Sequence, residues 1–194
     1  MTSSLVGSEM CIRDSHRTVW KDEPIVKLAV VDPSLDIAAG KDHWQYPLMA
    51  DHWNFPYDDA RIMEIHTMTN CDSVRLIAPH AGKQVDYGIR AAKDHANNTV
   101  VWYQPFRKGL IEAIGYRNGV EVCRDSLITS KATTSLRLLP DRVVMKADGQ
   151  DLSHITVQLY DEDGLPVQTD NRKLKVTVEG DGRFLGIDNG DLRR

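Results

Sequence analysis

The sequence predicts an all-β protein built as two tandem β-sandwiches. Short apolar or alternating runs recur between turn signals along the chain, which is the pattern of strands in antiparallel sheets. Asp outnumbers Glu by 21 to 7 among the 194 residues, and Asp favours turns whereas Glu favours helices. No stretch has the apolar spacing of a long amphipathic helix.

The strands predicted after Trp20 account for a first domain. They are Ile25–Val31, Arg61–Met68, Ser73–Ala78, Thr99–Tyr103, Leu110–Arg117 and Val120–Cys123. The last two flank Asn118-Gly119, a dipeptide that accepts the positive φ angles of a type I′ turn, so we expect a hairpin there. An immunoglobulin-like sandwich needs about 100 residues, and residues 16–138 meet that size.

A second domain is predicted to begin near Leu139-Pro140-Asp141, where Pro interrupts the strand pattern. The strands predicted around and after this boundary are Thr134–Leu139, Arg142–Lys146, His154–Tyr160, Lys173–Glu179 and Phe184–Ile187. Residues 139–194 provide about half of an immunoglobulin-like sandwich. We therefore expect the second sandwich to be incomplete and the sequence to be truncated at both ends.

The first fifteen residues, MTSSLVGSEMCIRDS, differ from the rest of the chain. They lack both the basic start and the apolar stretch of a secretory signal. The string SLVGSEMCIRDS resembles the translation of a sequencing adapter, and it shows neither strand alternation nor a helical stripe. We expect residues 1–15 to be disordered and non-native, with an ordinary flexible N-terminus as the alternative.

Charge and hydropathy argue against two classes of partner. The net charge is −4 and the Lys and Arg residues are scattered, so we expect no nucleic-acid partner. The longest apolar runs, such as Leu28–Val31, are far shorter than the roughly 20 residues of a transmembrane helix. We therefore expect no membrane span.

The chain shows no motif typical of a metal or cofactor site, and we predict neither. Cys11, Cys71 and Cys123 lack metal-ligand spacing; two buried thiols are favoured over a Cys71–Cys123 disulfide, which stays open as the alternative. A zinc site from His43, Asp51 and His52 would need a convergence that spacing alone does not supply. The run Asp161 to Gly164 resembles part of a calcium loop but lacks the Glu at position 12, and a hairpin turn explains it.

Two groups of residues resemble a known family. In the second domain they are Ala147-Asp148-Gly149-Gln150-Asp151-Leu152-Ser153, Ile155-Thr156-Val157, Tyr160-Asp161, Gly182 and Gly186-Ile187-Asp188-Asn189-Gly190-Asp191. In the first domain they are Trp53-Asn54, the run Thr69 to Leu76, Gly82-Lys83, the run Gly109 to Tyr116, and Asn118-Gly119. The chain resembles the C-terminal immunoglobulin-like domains of family 2 glycoside hydrolases of the β-galactosidase type.

The resemblance implies a non-catalytic fragment that supports a missing catalytic barrel, its expected partner. Enzymes of this family hydrolyse glycosidic bonds with retention through two carboxyl groups about 5 to 5.5 Å apart, and those groups lie on the barrel upstream of the matched region. The Asn-Glu dipeptide that carries the family's acid/base residue does not occur in this sequence, so we predict no catalytic residue here. The resemblance also implies periplasmic or extracellular placement.

Trp44 and Trp53 are candidate carbohydrate contacts. Each follows a His in a Pro-punctuated segment, and an aromatic ring can stack on a sugar face. Core packing is the favoured alternative, because aromatic side chains dominate the packing of cores. Two other functions stay open: a tandem immunoglobulin-like surface or adhesin protein, and a carbohydrate-binding module centred on these two residues.

Overall fold

The computed structural model describes residues 13–31, 49–57 and 61–188. Its strands are β1 (Val26–Val31), β2 (Met49–Ala50), β3 (Ile62–Thr69), β4 (Ser73–His80), β5 (Lys83–Ala91), β6 (Thr99–Pro105), β7 (Leu110–Arg117), β8 (Val120–Ile128), β9 (Ser135–Pro140) and β10 (Ile155–Tyr160). Residues 13–20 are helical, and two short 3₁₀ turns lie at Ala92–Asp94 and Ala96–Asn98. The all-β prediction is confirmed.

The first sheet has the strand order β2-β1-β3-β6, and every pair in it is antiparallel. Side chains alternate between its two faces with a period of two residues. On the inner face Leu28 lies opposite Thr67, and Ile65 lies opposite Trp102. These four side chains are fully buried.

The second sheet has the order β5-β4-β7-β8 and is also antiparallel. The predicted turn at Asn118-Gly119 joins β7 to β8, with φ angles of 51° and 76°. A second two-residue turn joins β4 to β5, since His80 pairs with Lys83. There Ala81 and Gly82 adopt φ angles of 49° and 76°, so this hairpin is as tight as the first.

Strand β5 was not predicted from the sequence. It is the edge strand of its sheet, and its residues are exposed or half-buried. An edge strand that buries little carries little apolar alternation, so hydrophobic periodicity gives no signal for it.

The two sheets pack face to face and bury one continuous core. Both inner faces contribute to it, as expected for a sandwich. Its fully buried members are Leu28, Val30, Trp53, Ile65, Val74, Leu76, Val100, Trp102, Ile111 and Ala113. This packing accounts for the predicted first sandwich.

The two sheets belong to a first compact unit, which comprises the described residues up to Thr129 together with residues 177–188. A second compact unit spans Ser130–Val176. Its strands β9 and β10 pair antiparallel from Ser135 opposite Tyr160 to Pro140 opposite Ile155. The boundary expected at residue 139 therefore falls inside β9. Pro140 does not interrupt the pairing of β9 with β10, because it is the last residue of an edge strand.

Three strands predicted for the second domain do not form in the structure. Residues 142–146, 173–179 and 184–187 are described, and none of them has a strand assignment. Their apolar side chains, such as Val144, Val176 and Leu185, are exposed. An alternating pattern indicates which residues would share a face of a strand. It does not indicate whether a neighbouring strand is present to form the hydrogen bonds that a sheet requires.

The N-terminal segment is partly helical. Residues 1–12 lie outside the described residues, whereas residues 13–15 belong to the helix at 13–20 and not to a disordered stretch. Asp14 and Thr18 lie on one helix face, four residues apart, and are only 3% exposed. No helix among the described residues is long and apolar enough to cross a membrane.

Candidate functional site

The predicted carbohydrate contact Trp53 lies in the core. Its exposure is 0%, and its indole Nε1 donates a hydrogen bond to the Arg107 carbonyl at 2.8 Å. The ring packs on Phe106, with centroids 4.9 Å apart, and meets the edge of Phe55. A ring without exposed surface offers no face to a sugar in this structure, so Trp53 serves packing. Trp44 lies outside the described residues.

The residues considered for a zinc site are described only in part, at Asp51 and His52. His52 accepts the Asn54 backbone N–H on Nδ1, and its ring packs near Phe55 at 5.1 Å. His43 lies outside the described residues. Among the residues that the structure describes, no group of three or more His, Cys, Asp or Glu side chains is arranged to hold a metal ion.

Three glutamates of the first unit contact basic side chains on the strands. Glu64 lies 2.7 Å from His66 Nε2, two residues along β3 on the same face. Glu112 of β7 and Glu121 of β8 both pair with Arg124, at 3.0 and 2.9 Å. These contacts explain the three carboxylates as sheet-surface residues rather than as an acid/base pair.

Asp161 organises the turn that the sequence had indicated at residues 161–164. Its carboxylate accepts backbone N–H groups from Lys131, Asp163 and Leu165 at 2.8 to 3.0 Å. These hydrogen bonds, with Lys131 contributing most, hold the pKa of Asp161 below its ordinary value because they favour the charged carboxylate. The acidic turn is thus a structural hydrogen-bonding centre.

An open depression of about 700 Å³ lies beside the start of β4. Its lining residues are Thr69, Asn70, Cys71, Asp72, Ser73, Ala91, Ala92, Lys93, His95 and Asn98. Asp72 is the one acidic residue in this lining, and it accepts the Asn118 backbone N–H at 2.6 Å. Retaining glycoside hydrolysis requires two carboxyl groups, so the residues that line this depression do not provide the acid/base and nucleophile pair.

Two further features lie in the core; the sequence had raised the Cys71–Cys123 pair, as buried thiols or a disulfide, but not Asp125. Asp125 points inward from β8 and binds β1, where it accepts the Leu28 N–H at 2.8 Å and pairs with Lys27 Nζ at 3.1 Å. Cys71 and Cys123 bring their sulfur atoms to 3.4 Å over Gly115. Asp125 shares a strand face with Cys123 and Leu127 by the period of two, which could have indicated that it points inward. The predicted strand ended at Cys123, however, and so did not include Asp125.

Comparisons with known proteins give the chain its family. Residues 136–194 match the model for the glycoside hydrolase family 2 C-terminal domain 5, and residues 60–123 match a domain of unknown function, DUF4982. The chain is 34% identical over 140 residues to the beta-galactosidase BoGH2A of Bacteroides ovatus. This chain is a C-terminal region of the glycoside hydrolase family 2 type. The resemblance inferred from the sequence motifs is confirmed.

Solved structures of other proteins share the fold. A glycosyl hydrolase family 2 member from Bacteroides cellulosilyticus DSM 14838 matches with a TM-score of 0.67 at 31% identity, over 78% of this chain and 20% of that chain. A beta-glycosidase from Bacteroides vulgatus matches in fold with a TM-score of 0.53 at 24% identity, over 78% of this chain and 16% of that chain. The alignment with the B. ovatus beta-galactosidase covers 72% of this chain. It covers only 16% of the length of that protein.

Proposed function

We propose that this chain serves a larger glycoside hydrolase as a non-catalytic β-sandwich region that supports a catalytic barrel. The observation that carries the proposal is the small share of the relatives that the chain spans, 16% of the B. ovatus beta-galactosidase. The interior of the first unit is consistent with this role, since Trp53 and Trp102 are fully buried and their indole N–H groups donate hydrogen bonds within the unit. Glu64 of β3 contacts His66, and Glu112 and Glu121 of β7 and β8 form ion pairs with Arg124.

The parent's proposed reaction is retaining hydrolysis of a β-galactoside. The name of the B. ovatus relative supports that substrate class. In such a reaction one carboxyl group acts as acid and base and a second acts as nucleophile. Both groups would come from the barrel, and the region described here would contribute a rigid scaffold. Periplasmic or extracellular placement is part of this proposal and rests on the family resemblance.

An activity assay tests the non-catalytic role. The chain is purified from a host that lacks its own β-galactosidase and is given aryl β-galactosides and aryl β-glucuronides. We expect no turnover above the background of a matched preparation without the chain. Turnover that copurifies with the chain and is lost in Glu64→Gln, Glu112→Gln or Glu121→Gln would contradict the proposal.

A further inference from the structure

The strongest unassigned feature of the first unit is a pair of cysteines within its sandwich. Cys71 lies just before β4 and is buried, whereas Cys123 lies on the edge strand β8 and is half-buried. Their sulfur atoms are 3.4 Å apart although the two residues are 52 positions apart in sequence. One thiol hydrogen-bonds the other in this arrangement.

Gly115 creates the space in which the two sulfur atoms meet. It lies on β7 directly opposite Cys123, at a register irregularity of the β7–β8 ladder. A Cβ atom at position 115 would lie 2.7 Å from Cys123 Sγ and 2.8 Å from Cys71 Sγ, closer than real Cβ contacts allow. The absence of a side chain at Gly115 therefore lets Cys71 and Cys123 reach each other across the middle strand.

We propose that Cys71 and Cys123 are a disulfide-forming site, which closes across Gly115 when a small disulfide donor is present. Closure needs the sulfur atoms to move from 3.4 Å to the bonding distance of about 2.05 Å. The bond would tie the edge strand β8 to the start of β4 over the intervening β7. This site is independent of the proposed support function.

The reaction proceeds by two thiol–disulfide exchanges. The Cys123 thiolate, on the half-buried residue, attacks one sulfur of the donor and releases one donor thiolate, leaving a mixed disulfide. The Cys71 thiolate then attacks Cys123 Sγ, forms the protein disulfide and releases the second donor thiolate. The two protons from the cysteines pass to the two released thiolates, so two protein thiols are oxidised and one donor disulfide is reduced to two thiols.

The surroundings make the first exchange slow and selective. Burial, together with the hydrogen bond between Cys123 and Cys71, raises the pKa of Cys123 to about 12. Arg117 acts in the opposite direction and favours the thiolate. A long incubation with the donor is therefore required, and the order of attack follows from access, since Cys71 is only 4% exposed.

The test uses the full chain with Cys11→Ser, so that the pair holds the remaining thiols. The protein is incubated with oxidised glutathione, denatured, alkylated with N-ethylmaleimide and analysed by intact mass and peptide mapping. We expect a product whose mass is lower than that of the reduced chain by two hydrogen atoms and which carries no alkyl group. Peptide mapping should show a peptide with Cys71 linked to Cys123. Its melting temperature should rise by several degrees, because the cross-link restricts the unfolded chain. Two alkylated thiols, a glutathione adduct that persists on Cys123, or cross-linked dimers would overturn the proposal.

Single variants test the order of attack and the role of the glycine. Cys71→Ser should stop at a glutathione adduct on Cys123, and Cys123→Ser should leave Cys71 unmodified in the folded protein. Gly115→Ala should block closure, whereas Gly186→Ala is a matched control because its added Cβ meets no atom within 4 Å. Closure of Gly115→Ala at the wild-type rate would contradict the geometry. If Gly115→Ala does not fold, the two serine variants still decide the outcome.

Discussion

The first and second compact units use the same strand pattern with different results. In the first, the inward residues of two facing sheets, such as Leu76 and Ile111, are fully buried. In the second, β9 and β10 align Leu138 with Val157 on one face, yet Leu138 is 59% exposed and Ile155 is 55% exposed. Alternation fixes which residues share a face, whereas burial requires a second layer against that face.

The difference has an energetic consequence. Apolar burial is the main favourable term in folding and scales with the area removed from water. The first unit buries large aromatic side chains such as Trp53 and Trp102, whereas the pairing of β9 with β10 is supported mostly by backbone hydrogen bonds and by the Asp161 turn. We therefore predict that the second unit is much less stable than the first.

The largest expected effect is that of removing a core aromatic. Trp53→Ala should lower the free energy of unfolding of the first unit by about 3–5 kcal/mol, since it leaves a cavity and an unpaired Arg107 carbonyl. Leu138→Ala, on the exposed face of β9, should leave the first unit's transition unchanged. The four tryptophans all precede residue 103, so tryptophan fluorescence during urea unfolding follows the first unit.

An equal loss in the two variants would break the comparison between the units. Trp53→Phe serves as a milder variant, because it keeps an aromatic ring while it loses the hydrogen bond to the Arg107 carbonyl and part of the indole volume. Its free energy of unfolding should lie between those of wild type and Trp53→Ala. A wild-type transition for Trp53→Phe would show that this hydrogen bond contributes nothing measurable.

A smaller effect is expected at Asp125, which links β8 of one sheet to β1 of the other. Asp125→Ala should lower the free energy of unfolding by about 1–3 kcal/mol, because it leaves the buried Leu28 N–H without its acceptor. Asp125→Asn keeps one side-chain oxygen and should lose less. Glu121→Ala on the same strand removes an exposed ion pair with Arg124 and is the matched control, with little change expected. Matching losses for Asp125→Ala and Glu121→Ala in urea unfolding would contradict the inward role of Asp125.

The smallest effect is expected at the Asp161 turn of the second unit. The pKa of Asp161 is lowered in the folded state, so its contribution to stability is present above the unfolded pKa of about 3.9 and is lost as pH falls through the folded pKa. NMR amide exchange of Lys131, Asp163 and Leu165 should show protection that decreases over that acidic range. Asp161→Asn should weaken the protection of Lys131 at neutral pH, because an amide donor then faces its N–H.

Glu162→Gln is the control in the same turn. Its side chain is exposed and pairs with Lys131 Nζ, so it should leave the three amides protected. Equal protection of these amides in wild type and Asp161→Asn at neutral pH would show that the Asp161 carboxylate does not stabilise the turn.

The sequence predicted the fold where a strand is buried on one face and bounded by clear turns. The β7–β8 hairpin follows from Asn118-Gly119, and β1 and β3 follow from their apolar residues. It missed β5, whose polar edge position leaves no apolar pattern. It overpredicted residues 173–179, where alternation is clear but no neighbouring strand pairs with them in the structure.

The candidate site was harder to predict than the fold. The two alternatives for Trp53 could not be separated by sequence, because a tryptophan after a loop looks the same whether its ring faces a sugar or Phe106. The meeting of Cys71 with Cys123 depends on Gly115, a residue remote from Cys71 in sequence. Contacts between residues far apart in the chain require the strand register, which periodicity does not supply.

Hydrogen–deuterium exchange of the whole chain, followed by mass spectrometry, tests the central comparison most directly. We expect strong protection of the central strands β3, β4 and β7, and much faster exchange of Ile155–Tyr160 in β10. Both regions are measured in one sample, so solution conditions are identical for them. Equal and strong protection of Ile155–Tyr160 and the central strands would contradict the account, because it would show that the second unit has a complete stabilising core.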